Sequence, residues 1–198
     1  MTNITEIFPT YLANYKSNIN LDTVLDECFQ IEKENDGVKI SNVGGWQSDL
    51  IDLTSKPFDV LVPEILKILQ TVIEYTKLKP YYTIRNAWIN INRANCSNLV
   101  HIHPESSISG VFYIKVPENS GKIKFLNPAR IGITSNVSDD QWAAKPFHRP
   151  ITEVYEYLPV PGEVLMFPSW LEHYVENNDN VNNEPRVSIA FNIKINSR

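Results

Sequence analysis

Two of the four histidines in this chain, His101 and His103, stand one residue apart in the stretch "LVHIHPESSISGVFYIKV". An extended backbone turns residues i and i+2 to the same face, so the two imidazoles project together. Side by side they are suited to ligate one first-row metal ion; the plainer alternative is a pair of polar groups on a solvated strand face. Glu105 joins that face if the strand runs on past Pro104. A third imidazole, His173, follows an apolar run in "PVPGEVLMFPSWLEHYVENN", in an aromatic, loop-forming setting between Trp170 and Tyr174. Thirteen residues later, "RVSIAFNIKI" sets Arg186, Ser188, Ala190 and Asn192 on one strand face. A lone guanidinium in an apolar strand needs a carboxylate, supplied either by a structural ion pair or, bidentately, by a bound ligand. Asn90 and Asn192, amides among apolar neighbours, are candidates for orienting such ligands.

These groups require a frame that brings residues 101–103, 173 and 186 together. Two helical patterns come first. In "INLDTVLDECFQIEKENDG", Leu21, Val24, Leu25, Cys28 and Phe29 recur at helical spacing, with Asn20 or Asp22 as cap and Gly37 as terminator. In "FDVLVPEILKILQTVIEYTKLK", Pro63 suits the first helical position, Asp59 is a candidate cap, and Ile65, Leu66, Leu69, Val72 and Ile73 form one stripe. From about residue 81 the texture becomes β-type: "YYTIRNAWININR", "ISGVFYIKV", "GKIKFLN", "TEVYEYLPV", "EVLMFPS" and "VSIAFNIKI", separated by Pro, Gly, Asn and Ser clusters. Turns such as "PENSG" and "VPGE" suit antiparallel pairing. The expectation is one domain over residues 1–198, mainly β with flanking helices: an N-terminal helical layer at 1–80 packed on a β core at 81–198. The long irregular stretch 127–150, which holds Trp142 and His148, is of the kind that covers a site.

Composition narrows the function classes. A formal net charge of −5 without a dense basic run gives no whole-surface attraction for nucleic acid. Two cysteines far apart, Cys28 and Cys96, suggest neither a disulfide scaffold nor a zinc knuckle. The start of the chain lacks the pattern of a signal peptide, and no run of about 18 apolar residues is present, so a cytoplasmic location without membrane insertion is expected. The oligomeric state is open, a homo-oligomer included.

Taken in order, a histidine pair, a strand with Tyr113, a Gly-turn strand, a late histidine and an arginine resemble the Fe(II)- and 2-oxoglutarate-dependent oxygenases, whose core carries HxD…H…R. More closely, "GGWQSDL", "AWINI", "HIHPESSISGVFYIKVPENSGKIKFLNP", "PGEVLMFPSWLEHYV" and "RVSIAFN", spread over about residues 44–193, are similar to a family of 2-oxoglutarate oxygenases of unassigned substrate found in phage and marine bacteria. Prolyl hydroxylases are its distant relatives. The resemblance implies a double-stranded β-helix (jelly-roll, cupin-like) core, Fe(II) and 2-oxoglutarate as cofactors with O2, and hydroxylation of a C–H on a protein or peptide side chain or a small molecule, with 2-oxoglutarate decarboxylated to succinate. Carried over by position, it makes His101 and His173 metal ligands, Arg186 the partner of the far carboxylate of 2-oxoglutarate, and Tyr113 and Ser188 its helpers. The pattern asks for a carboxylate where this chain has His103. Two ligand sets follow: His101, His103 and His173, which the position of "HIHP" favours, or a frame shifted by two, His103, Glu105 and His173. Two rivals remain in view: a three-histidine cupin-type dioxygenase that needs no oxoacid, and a non-catalytic metal-binding β-helix module.

Overall fold

Strand period, more than any other feature, decides the architecture of the chain. Its computed structural model describes residues 9–78, 81–128 and 153–196. Along the chain run β1 (Ala13–Lys16), α1 (Asp22–Glu34), β2 (Asn42–Val43), β3 (Trp46–Gln47), a 3-10 turn (Phe58–Val60), α2 (Leu61–Thr76), β4 (Tyr82–Asn92), β5 (Ser97–His101), β6 (Ile108–Lys115), β7 (Ile123–Leu126), β8 (Val154–Tyr157), β9 (Glu163–Pro168), β10 (His173–Val175) and β11 (Arg186–Ile195). They form a six-stranded sheet, β1-β9-β6-β11-β4-β3, and a five-stranded one, β2-β5-β10-β7-β8.

Strand β11 is paired on both edges, to β4 and β6, and from Arg186 to Ile193 its side chains are buried on both faces. Val187, Ile189, Phe191 and Ile193 point one way and meet Val24 and Cys28 of α1 and Leu61, Ile65, Leu69 and Val72 of α2 in one cluster. Each such fully buried aliphatic or aromatic side chain contributes about 1.5–3 kcal/mol. Phe191 lies opposite Gly110 of β6, where a Cβ would come within 2.3 Å of its ring. The other face of the large sheet looks at the small sheet. Tyr113, Leu165 and Phe167 pack there on Ile123, Phe125 and Leu171, while Arg186, Ser188 and Asn192 lie on the same inward face. A hydrogen bond from Asn92 Nδ2 to Asn98 Oδ1 (2.8 Å) and one between Tyr157 and Glu163 tie the two sheets together.

Between β5 and β10 the register shifts: His173 faces His101, but Val175 faces Asn98. Three steps on β5 oppose two on β10, a β-bulge that lets Asn98 and His101 both turn inward.

Several sequence expectations need correction. The segment 1–80, expected as a helical layer, also contributes β1, β2 and β3, strands of two to four residues that are too short to show a period of two. Asn20 Oδ1 accepts the Asp22 N–H at 2.7 Å, but α1 ends at Glu34, ahead of Gly37. Pro63 is the third residue of α2, and Asp59 sits in the 3-10 turn without a capping bond. His173, expected in a loop, belongs to a strand. From residue 129 the irregular insertion, with Trp142 and His148, lies outside the described residues. No helix among the described residues is long and apolar enough to cross a membrane.

Candidate metal centre

His101 ends β5 and His173 begins β10, and the antiparallel ladder sets them opposite one another. His103 lies just beyond β5, its backbone N–H donating to the Ser169 carbonyl at 2.9 Å. The rings close a triangle: His101 and His173 have centroids 4.4 Å apart, and His103 is 5.1 Å from each. Donor nitrogens of the three all lie within 4.8 Å of one another.

The other ring nitrogens are committed. His101 Nδ1 is 2.7 Å from the Leu99 carbonyl and His173 Nδ1 is 2.8 Å from the Leu171 carbonyl. A carbonyl only accepts, so both Nδ1 atoms carry the proton and both Nε2 atoms present lone pairs. His103 Nδ1 is 2.7 Å from Asn192 Oδ1, and His103 Nε2 is buried without a partner. Burial holds all three imidazoles neutral. It lowers His101, against the Leu99 carbonyl. Burial, then the repulsion that a protonated His101 would exert, takes His103 down to about 4, against the Asn192 bond. Burial, then His101, takes His173 down to about 3, with the Leu171 carbonyl opposing and His103 adding a smaller push. Three convergent neutral imidazoles, one with an orphaned nitrogen, are a donor set that fits a divalent first-row metal ion.

Glu105 does not join them. It adopts a left-handed φ of 65°, and its carboxylate is 78% exposed and 3.4 Å from Arg85. The backbone turns away just where the shifted frame needs it to stay extended. The Trp88 ring lies 5.5 Å from that of His103, tilted by 31°, and walls a cleft of about 350 Å³ that opens onto His101 and His103. Among the described residues lining that cleft are Ile40, Leu50, Asn86 and Asp49, and no lysine or arginine. Trp170, by contrast, is half exposed at the surface.

Arg186 is 3% exposed, with its guanidinium on the carbonyls of Ser120 (3.2 Å) and Gly121 (3.4 Å). Among the described residues no carboxylate stands within ion-pair distance of it. Burial depresses its pKa, and Tyr113 beside it works the other way. Burial pushes the Tyr113 hydroxyl up, chiefly by desolvation, against the pull of Arg186. Ser188 is buried directly across the ladder from Tyr113. Sequence reasoning missed Ser109, Ser120 and Ser169, whose roles depend on contacts 60 or more residues away along the chain.

Two facing antiparallel sheets with three histidines at one mouth define a double-stranded β-helix with a metal-type site. A profile of the family described as "Putative 2OG-Fe(II) oxygenase" matches residues 86–192. The chain belongs to this family of 2-oxoglutarate- and Fe(II)-dependent oxygenases and is an enzyme of that oxidoreductase type. No curated protein matches it. Among solved structures it is similar to a Pseudomonas putida prolyl-4-hydroxylase (TM-score 0.60, 11% identity, 94% of this chain and 93% of that one). It is also similar to a Trichoplax adhaerens prolyl hydroxylase in complex with a hypoxia inducible factor peptide fragment (TM-score 0.59, 11% identity, 93% and 83%). A third likeness is to HygX from Streptomyces hygroscopicus with nickel, 2-oxoglutarate and hygromycin B bound (TM-score 0.58, 11% identity, 93% and 83%). At such identities the likeness is one of fold.

Proposed function

We propose that His101, His103 and His173 hold the Fe(II) of this oxygenase and that Arg186 anchors the far carboxylate of 2-oxoglutarate, with Tyr113 and Ser188 beside it. When bound, iron and the oxoacid together supply, from O2, the oxidant for an unactivated C–H, the oxoacid leaving as succinate and CO2. The chain's own residues do the rest. Three neutral imidazoles bind the metal without giving up protons, and the carbonyls of Leu99 and Leu171 fix two of the rings. Arg186 offers a bidentate fork in a site from which water is excluded, where a charge-assisted bond is strong. Trp88 and its neighbours present the substrate from the open side.

The observation that carries this reading is Arg186: a buried guanidinium facing inward with no carboxylate of its own among the described residues. It also separates the proposal from a three-histidine dioxygenase that takes substrate directly, a rival that the carboxylate-free ligand set would otherwise favour. Anaerobic calorimetric titration of the iron-loaded protein with 2-oxoglutarate tests it. Wild type binds saturably. Arg186→Ala weakens binding by at least about 30-fold, the low end of roughly 2–5 kcal/mol for truncating one partner of a buried charge pair. Equal binding by both forms, or none by wild type, would overturn the assignment.

The substrate we propose is a side chain of a protein or peptide, or a small molecule free of phosphate and carboxylate groups, hydroxylated at carbon. The cleft supports this by its apolar walls and its lack of basic side chains, since a phosphorylated or carboxylated substrate would be poorly held there. Fold relatives carry both kinds of ligand, a peptide fragment in one and hygromycin B in another. Succinate formation that depends on an added neutral peptide is the expected result.

A further inference from the structure

The three imidazoles are not oriented alike. His101 and His173 rest on main-chain carbonyls, which leave them one tautomer each. His103 rests on a side-chain amide, and an amide can either accept or donate. If the Asn192 amide turned its nitrogen to His103, Nδ1 would become the acceptor and Nε2 would carry the proton. The ring would then donate towards its two neighbours instead of presenting a lone pair.

A buried pair of hydroxyls continues from the amide. Asn192 Oδ1 also accepts from Ser109 Oγ at 2.8 Å, and Ser109 Oγ lies 2.8 Å from Ser169 Oγ. With the Ser109 proton directed to Asn192, Ser169 donates to Ser109, and the carboxamide oxygen is the point where two donors converge. Ser169 closes the loop, because its carbonyl also accepts the backbone N–H of His103. Ser109, Ser169 and Asn192 are all nearly inaccessible to solvent. The unpartnered His103 Nε2 is the other end of the same arrangement.

We propose that Asn192, set by Ser109 and Ser169, is a positioning residue that locks His103 in its Nδ1–H tautomer and so makes it a metal ligand at the place where related sites use a carboxylate. The proposal rests on the three-histidine reading given above. Cobalt(II), which reports its ligand field in the visible spectrum, is the probe. Asn192→Leu, which keeps the volume and removes the acceptor, is expected to weaken Co(II) binding by roughly 10–100-fold and to shift the visible bands. Asn192→Asp, which keeps an acceptor oxygen at that point, restores affinity and bands. Wild-type affinity and bands in Asn192→Leu would overturn the proposal, and so would a loss that Asn192→Asp does not rescue, since packing alone would explain it. Should the leucine variant not fold, Ser109→Ala decides: a band shift in the same direction supports the relay, and an unchanged spectrum refutes it. His103→Ala reads the parent assignment separately. Unaltered Co(II) binding in that variant removes His103 from the metal set, whereas weakened binding there with a silent Asn192→Leu sinks the relay alone.

Discussion

His103 and His173 take up protons only near pH 4 and pH 3, against about 6.5 for an unfolded histidine. In the metal-free protein the unfolded chain therefore binds more protons than the folded one over the whole interval between those values. Stability is complete above about pH 6.5 and is lost progressively as pH falls towards 4 and 3. Thermal unfolding in a chelator should give a melting temperature that is flat above pH 7 and drops below about 6.5, with the drop reduced in His173→Leu. A flat profile through pH 5 would mean that these rings are not buried as described. The histidine pair announced itself in the sequence because i and i+2 share a face. Glu105 misled because its left-handed φ is a property of one backbone position that no spacing rule reports.

Among the secondary-structure elements, β11 was readable end to end. Residues 186–193 alternate between two buried faces, and with Arg186, Ser188 and Asn192 in phase they leave a strong period-two signal. Strand β10 was not, because three residues cannot show a period and Trp170 and Tyr174 mimic a loop. The partners of His103 were hidden for a different reason: Asn192 is 89 residues away, and only the closing of the sheets brings them together. The tight place in these ladders is Gly110. A methyl group there meets Phe191 at 2.3 Å and the Leu165 carbonyl at 2.8 Å, one a core ring and the other main chain. Gly110→Ala should cost about 1–3 kcal/mol, the usual penalty for overpacking, as read from denaturant unfolding. A neutral outcome would show that the β6–β11 contact is looser than the structure indicates.

For the whole molecule, the metal would act as a clasp. His101 and His173 belong to the small sheet, while His103 is bonded to Asn192 of the large one. Divalent metal at 100 times its dissociation constant should add about 2.7 kcal/mol, or roughly 5–10 °C in melting temperature for a chain of this size. Calorimetry with and without EDTA measures the shift, and His173→Ala should abolish it; a shift that survives in that variant would place the ion elsewhere. The bulge in β5 carries a consequence of its own. Because Asn98 and His101 both face the interior only by virtue of one surplus residue, the inter-sheet seam and the imidazole cluster compete for the same strand parity. Excising Leu99 or Val100 would leave the chain able to satisfy one of them and not the other, so an apparently idle surface residue decides whether the barrel can be both shut and loaded.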